Sequence, residues 1–144
     1  MSQADPRDGD QAQFVRPVQQ PGAGAPGTAE TVRRFQAAWN ARDVEEVMAL
    51  MTEDCVFEST WPPPDGERVE GQGAVRAFWE RFFERSPQAR IEIEELLACG
   101  DRATMRWRYR WGGGGSGQPG HVRGVDVYRI RDGKVAEKLS YVKG

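Results

Sequence analysis

The stretch Ala103-Thr104-Met105-Arg106-Trp107-Arg108-Tyr109-Arg110-Trp111, with the runs Val122 to Arg131 and Lys134 to Val142 behind it, decides the fold. In the first run Met105, Trp107, Tyr109 and Trp111 alternate with three arginines. A period of two is that of a strand, so the apolar set faces inward and the arginines outward. In the second run Gly124, Asp126, Tyr128 and Ile130 share one face, and Val125, Val127 and Arg129 share the other. Both faces carry apolar residues. One must therefore find cover outside its own layer, and a second copy of the chain packed sheet to sheet would supply it.

The turn through Arg131-Asp132-Gly133 joins the second run to the third, and its length sets which residues face inward. A two-residue Asp-Gly loop puts Val135, Glu137 and Leu139 beside the inward set. A three-residue loop with Gly133 in a bulge puts Ala136, Lys138 and Ser140 there.

Upstream of these runs, Arg90 to Cys99 reads as a further strand, set off by Gly100-Asp101. Before it, Val75, Phe78, Trp79, Phe82 and Phe83 recur at helical spacing after Gly71-Gln72-Gly73, an aromatic stripe expected to be core, and Ser86-Pro87 ends that helix. Cys55 to Ser59 reads as a strand, which Pro62-Pro63-Pro64 must terminate because prolines cannot donate to a ladder. Two helices come first. One is capped by Thr28 and carries Val32, Phe35, Ala38 and Trp39; the other carries Val44, Val47, Met48 and Met51. Three helices in the first half and antiparallel strands after them define an α+β domain over residues 28–144. Residues 1–27, rich in Gln, Pro, Gly and Asp, read as a disordered tail.

Composition narrows the function. A formal net charge of −2 with interspersed signs offers no basic face for nucleic acid or for an anionic membrane. No segment has the make-up of a signal peptide or a membrane span, so a cytoplasmic location is expected. Cys55 and Cys99 sit in strand-like apolar runs and read as free, buried thiols. His121 is the only histidine, a poor basis for a zinc or iron site, and neither a metal nor a cofactor is expected. The run Gly112 to Gly117 lacks the Lys-Ser/Thr of a phosphate loop and reads as a flexible connection at the pocket rim. His121 has the parity opposite to Asp126 and reads as a rim residue; Glu58 and Glu70 read as surface acids.

The element order, together with Ala38-Trp39-Asn40-Ala41-Arg42-Asp43, Glu53-Asp54-Cys55-Val56-Phe57 and Gly124 through Val135, resembles the nuclear transport factor 2-like superfamily. The resemblance is greatest to its SnoaL-like and ketosteroid isomerase-like branches. It implies a cone-shaped curved antiparallel sheet and helices enclosing a hydrophobic pocket, usually in a homodimer. It also favours the second hairpin register, which turns Lys138 and Ser140 inward and sets Leu139 and Tyr141 beside Val125 and Val127 on a dimer face. On this reading the pocket is lined by Phe35, Trp39, Phe57, Ser59, Trp61, Phe82, Met105, Trp107, Tyr109, Tyr128, Lys138 and Ser140. Lys138 then stands near Asp126, opposing the effect of burial on that carboxyl group.

Matched onto the ketosteroid isomerases, the tyrosine position falls on Phe35 and the base position on Ser59, and the oxyanion acid is retained as Asp126, so that chemistry is not carried over whole. The acids of the limonene epoxide hydrolases become basic or aromatic residues and Ser140. The SnoaL-type polyketide cyclases need mainly one acid/base Asp, a requirement that Asp126 meets. Three readings stay open. The first is cofactor-independent acid/base catalysis, of isomerase or cyclase type, on a hydrophobic ring compound, with Asp126 as proton shuttle. The second is a non-catalytic binding module for an apolar metabolite, and the third a protein-interaction adaptor.

Overall fold

The computed structural model describes residues 27–112 and 118–144. The expected tail, up to residue 26, and most of the glycine-rich connection lie outside the described residues.

The first helical period produces α1 (Thr28–Asn40), which buries Val32, Phe35 and Trp39. Its cap differs from expectation. Gly27 holds the N-cap position without a side-chain bond, and the Thr28 hydroxyl instead donates to the Gly100 carbonyl at 2.5 Å. Asn40 closes the other end by bonding both backbone groups of Ile91, at 2.8 and 2.9 Å. Asp43 then caps α2 (Val44–Ala49) by accepting from the Glu46 amide. Met51 belongs to the next element rather than to α2: strand β1 runs Met51–Glu58.

A short strand, β2 (Arg68–Glu70), pairs with β1 and was not apparent in the sequence. Three residues flanked by prolines and glycines are too few to show a period. Helix α3 (Gln72–Arg85) follows, then β3 (Arg90–Cys99), β4 (Arg102–Trp111), β5 (Gly120–Arg131) and β6 (Lys134–Val142). The six strands form one sheet in the order β2-β1-β6-β5-β4-β3. All neighbours are antiparallel except β1 and β6, which pair in parallel. That pairing puts β5 and β6, the strands with the ionisable candidates, in the middle of the sheet, with the helices over one face.

The last hairpin combines the two registers that the sequence left in competition. Arg131 pairs with Lys134, so the loop is the two-residue Asp132-Gly133. Both residues have positive φ, 54° and 70°, as a tight hairpin turn of this hand requires. The register shifts one step later, between Arg129 and Ile130. Ala136 is the extra residue, and it leaves Val135 and Ala136 both buried. Beyond the shift, Tyr128 faces Lys138 and Asp126 faces Ser140. The bulge therefore sits on β6, not at Gly133, yet it has the expected effect on what faces inward.

Of the two cysteines, Cys55 is buried, and burial pushes its thiol pKa up. Cys99 is exposed, contrary to expectation. It ends the edge strand β3 beside the Gly100 turn.

Candidate functional site

Between the inner sheet face and the helices lies a cavity of about 170 Å³. Its walls are aromatic: Trp39 from α1, Phe57 from β1, Phe78, Trp79 and Phe82 from α3, Trp107 and Tyr109 from β4. Five polar side chains interrupt them, those of Ser59, Thr60, Asp126, Lys138 and Ser140. The aromatic rings hold one another in place. Phe57 meets Phe78 and Trp79 at centroid distances of 4.9 and 4.3 Å, and Trp39 packs on Trp79, Phe82 and Phe83.

Asp126 is 0% exposed, and every group around its carboxylate is a donor. The Trp107 indole N–H donates to Oδ1 at 2.9 Å, and the Tyr128 hydroxyl donates to Oδ2 at 3.3 Å. The Lys138 ammonium stands 3.0 Å from Oδ2. Desolvation, together with the neighbouring Asp126 charge, drives the Tyr128 pKa well above the ordinary tyrosine value, so this hydroxyl keeps its proton. Lys138 is 3% exposed. It also donates to the Ser140 hydroxyl at 3.2 Å and lies 4.8 Å over the Phe57 ring, a cation on an aromatic face. A buried ion pair is tolerated where further hydrogen bonds satisfy both partners. Here the sheet register supplies them: Asp126 opposite Ser140, Tyr128 opposite Lys138, and Lys138 next to Phe57 across the parallel pair.

The structure brings together Trp39, Phe57, Ser59, Phe82, Trp107, Tyr109, Asp126, Lys138 and Ser140 around this cavity. Four expected pocket residues lie elsewhere. Trp61 is 74% exposed, because Ser59 ends its strand and donates to the Trp61 carbonyl, turning the chain outward. Phe35 and Met105 are buried in the core beneath the cavity. Phe35 sits one helical turn ahead of Trp39 and packs edge-on against Tyr128 at 6.2 Å. Tyr128 is likewise enclosed and reaches the site through its hydroxyl alone.

Thr60, Phe78, Trp79, Ile91 and Val122 line the cavity without having been anticipated. Two of them were readable. Phe78 precedes Phe82 by one helical turn, and Val122 shares the parity of Gly124 and Asp126. The stripe on α3, expected to be core, thus divides: Val75 and Phe83 are core, while Phe78 and Phe82 are partly exposed to the cavity.

Two of the three outward arginines of β4 are paired with acids on the neighbouring strand. Arg106 and Arg110 pair with Glu95 and Glu92 of β3. Arg123 of β5 pairs with Glu94, which a register shift in β3 leaves outside the ladder. Glu58 and Glu70 both pair with Arg68 on the surface, and His121 is exposed. Among the described residues no group of three His, Cys, Asp or Glu is placed to hold a metal ion. None of the described helices is long and apolar enough to cross a membrane.

A six-strand curved sheet with helices over one face is the fold of the nuclear transport factor 2-like proteins. Residues 32–138 match the SnoaL-like domain, and the chain belongs to that family. Among solved structures it is similar to a nuclear transport factor 2-like protein of unknown function from Mesorhizobium loti. The two are 40% identical, the match covers 87% of this chain and 98% of that one, and the TM-score is 0.68. A putative polyketide cyclase from Pseudomonas putida is 25% identical over 81% of this chain and 91% of that one, with a TM-score of 0.64. A putative ketosteroid isomerase from Kribbella flavida, 22% identical over 81% and 78% of the two chains at a TM-score of 0.68, shares the fold. A comparison with curated proteins gives no match.

Proposed function

We propose that this protein carries out cofactor-independent proton transfer, an isomerisation or cyclisation, on a hydrophobic ring compound held in the aromatic cavity, with Asp126 moving the proton. The observation that carries the reading is a carboxylate with no exposed surface at the edge of that cavity, its counter-charge Lys138 beside it. Isolating a carboxylate from water is costly unless it is paired, and such groups concentrate at functional sites. The likeness to a putative polyketide cyclase supports the same reaction class.

The test is deuterium exchange. Cyclic ketones are incubated with the protein in deuterium oxide, and loss of the proton next to the carbonyl is followed by nuclear magnetic resonance. The wild-type protein accelerates exchange, and Asp126→Asn lowers that rate by a factor of about 100 or more. Exchange that survives the substitution removes Asp126 from the mechanism.

One observation favours a second reading, a binding module that holds a ring compound without turning it over. Both oxygens of Asp126 are already engaged, by Trp107, Tyr128 and Lys138. A ligand bound tightly with no exchange in any ketone would select that reading. On either reading two copies pair through the outer sheet face around Val125, Val127, Leu139 and Tyr141.

A further inference from the structure

The donors and acceptors of the cavity do not balance. An ammonium carries three N–H donors. Ser140 Oγ accepts one from Lys138, and Asp126 Oδ2 at 3.0 Å takes at most one more. No other described residue accepts a hydrogen bond from this nitrogen. Its third donor has the aromatic faces of Phe57 and Trp79 beside it, at 4.8 and 5.6 Å, weaker partners than an oxyanion in the cavity. Ser59 offers little competition, since its hydroxyl accepts from the Glu67 amide and donates to the Trp61 carbonyl. The indole N–H groups of Trp39 and Trp79 also lack a partner, but they are neutral donors, and a charged donor holds an oxyanion more strongly.

Size sets the second limit. At about 170 Å³ the cavity is comparable with apolar cavities of about 150 Å³ that hold a single benzene-sized ring. Pockets for larger ligands run from about 300 Å³ upward, so a single ring is enough to fill the space beside Asp126 and Lys138.

Charge sets the third. With Asp126 ionised and Lys138 protonated the site is neutral, and a cationic ligand would meet the ammonium over Phe57. A neutral ligand with an acidic proton keeps the balance. When its C–H or O–H bond breaks, the proton bonds to Asp126 Oδ, and the electron pair stays on the ligand as an enolate or phenolate oxygen. Total charge in the cavity is unchanged, and the new oxyanion lies against the third Lys138 donor.

On the proposed reading of the site, we infer that its substrates are single-ring compounds with one enolisable carbonyl or acidic ring hydroxyl, and that Lys138 holds the oxyanion formed when Asp126 takes the proton. The probe is para-nitrophenol, whose phenolate is yellow and whose phenol is colourless, compared with para-nitrotoluene, which has the same shape and no acidic proton. The wild-type protein is expected to bind the phenol about tenfold more tightly than the toluene and to hold it in the yellow form below the pH at which the free phenol ionises. A tricyclic phenol is expected to bind at least about tenfold more weakly than the single ring. Lys138→Met abolishes both the preference and the colour. Because that change alone leaves Asp126 buried without its counter-charge, the double variant Lys138→Met with Asp126→Asn is measured beside it and gives the same loss. Asp126→Asn alone keeps the preference for the phenolate while losing ketone exchange, which separates a failure of the Lys138 assignment from a failure of the proton-transfer reading. Equal affinity for phenol and toluene, binding of neither, a colourless bound phenol, or tighter binding of the tricyclic phenol overturns the proposal.

Discussion

The indole of Trp107 lies across Gly124, its register partner on β5. A Cβ on residue 124 would stand 2.5 Å from the Trp107 ring and 2.2 Å from the Tyr141 carbonyl oxygen. The missing side chain is what lets the indole extend over the strand and reach Asp126 Oδ1 at 2.9 Å. The Gly124→Ala variant must displace either backbone or ring. It is expected to lose about 1–3 kcal/mol of stability by overpacking. Combined with Trp107→Phe, which lacks the N–H, it should cost less than the two single losses added, since both act on one contact. Urea unfolding of the three variants decides this; additive losses would show that Gly124 does not act through Trp107.

Removing one member of the Asp126–Lys138 pair leaves the other buried without its counter-charge. Lys138→Met is expected to cost about 3–5 kcal/mol. Lys138→Met together with Asp126→Asn, which keeps an acceptor for the Trp107 N–H and removes both charges, should recover a good part of that loss. The measurement is again denaturant unfolding, and a double variant weaker than Lys138→Met alone would show that the stranded Asp126 charge is not the main cause of the loss.

The strands and helices were legible because their periods are long and clean: ten residues alternate in β4 and fourteen turn through α3. The alternation of β5 put Asp126 on one face with Tyr128 and Ile130. Because both faces carry apolar residues, the choice of that face as the inward one leaned on the family resemblance. What could not be read was set by local geometry without a period. The Ala136 bulge costs the pattern one residue and looks, in sequence, like a longer turn. The outward path of Trp61 depends on a hydroxyl-to-carbonyl bond from Ser59. Phe35 and Met105 have the right parity but sit one layer too deep, and depth is a matter of packing that periodicity does not report.

Tyr128 gives the protein an alkaline weakness. Burial raises its pKa in the folded chain above that of an unfolded tyrosine, with the Asp126 charge adding to the effect. A raised folded value means that stability is whole below the unfolded pKa of about 10 and falls as pH rises past it, because the unfolded chain alone can release that proton. Tyr109 shifts the same way, through burial. Tyr128→Phe should therefore flatten the alkaline limb of stability against pH. A tyrosinate absorbance titration checks the cause: Tyr128 should contribute no signal until the chain unfolds.

The two thiols should part company in reactivity. Cys99 is exposed, whereas Cys55 is buried with its thiol pKa raised by desolvation, and the thiolate is the reactive form. An aromatic disulfide reagent should modify one thiol of the native protein rapidly and the second only in denaturant. Cys99→Ser should remove the rapid phase entirely, and a rapid phase that persists would mean that Cys55 is reached through an opening of β1.

The outer sheet face carries the proposed pairing of two copies. Val125, Val127 and Leu139 are half-buried there, and Tyr141 is 53% exposed. Beside them a groove of about 380 Å³ runs past Val125, Tyr141 and Val142, bordered by the Glu94–Arg123 pair. An apolar strip framed by satisfied ion pairs has the make-up of an interface core with a polar rim. If two copies meet here, each Tyr141 becomes buried, and a charge placed on it would be stranded without a partner. Tyr141→Asp is therefore expected to shift sedimentation from dimer to monomer and to weaken association by about 100-fold or more, while Glu45→Gln, on an exposed side chain of α2 far from this face, leaves it unchanged. The pocket lies on the opposite side of the sheet, so probe binding per chain should be the same in monomer and dimer; a wild-type protein that sediments as a monomer at every concentration would leave this strip without the proposed partner.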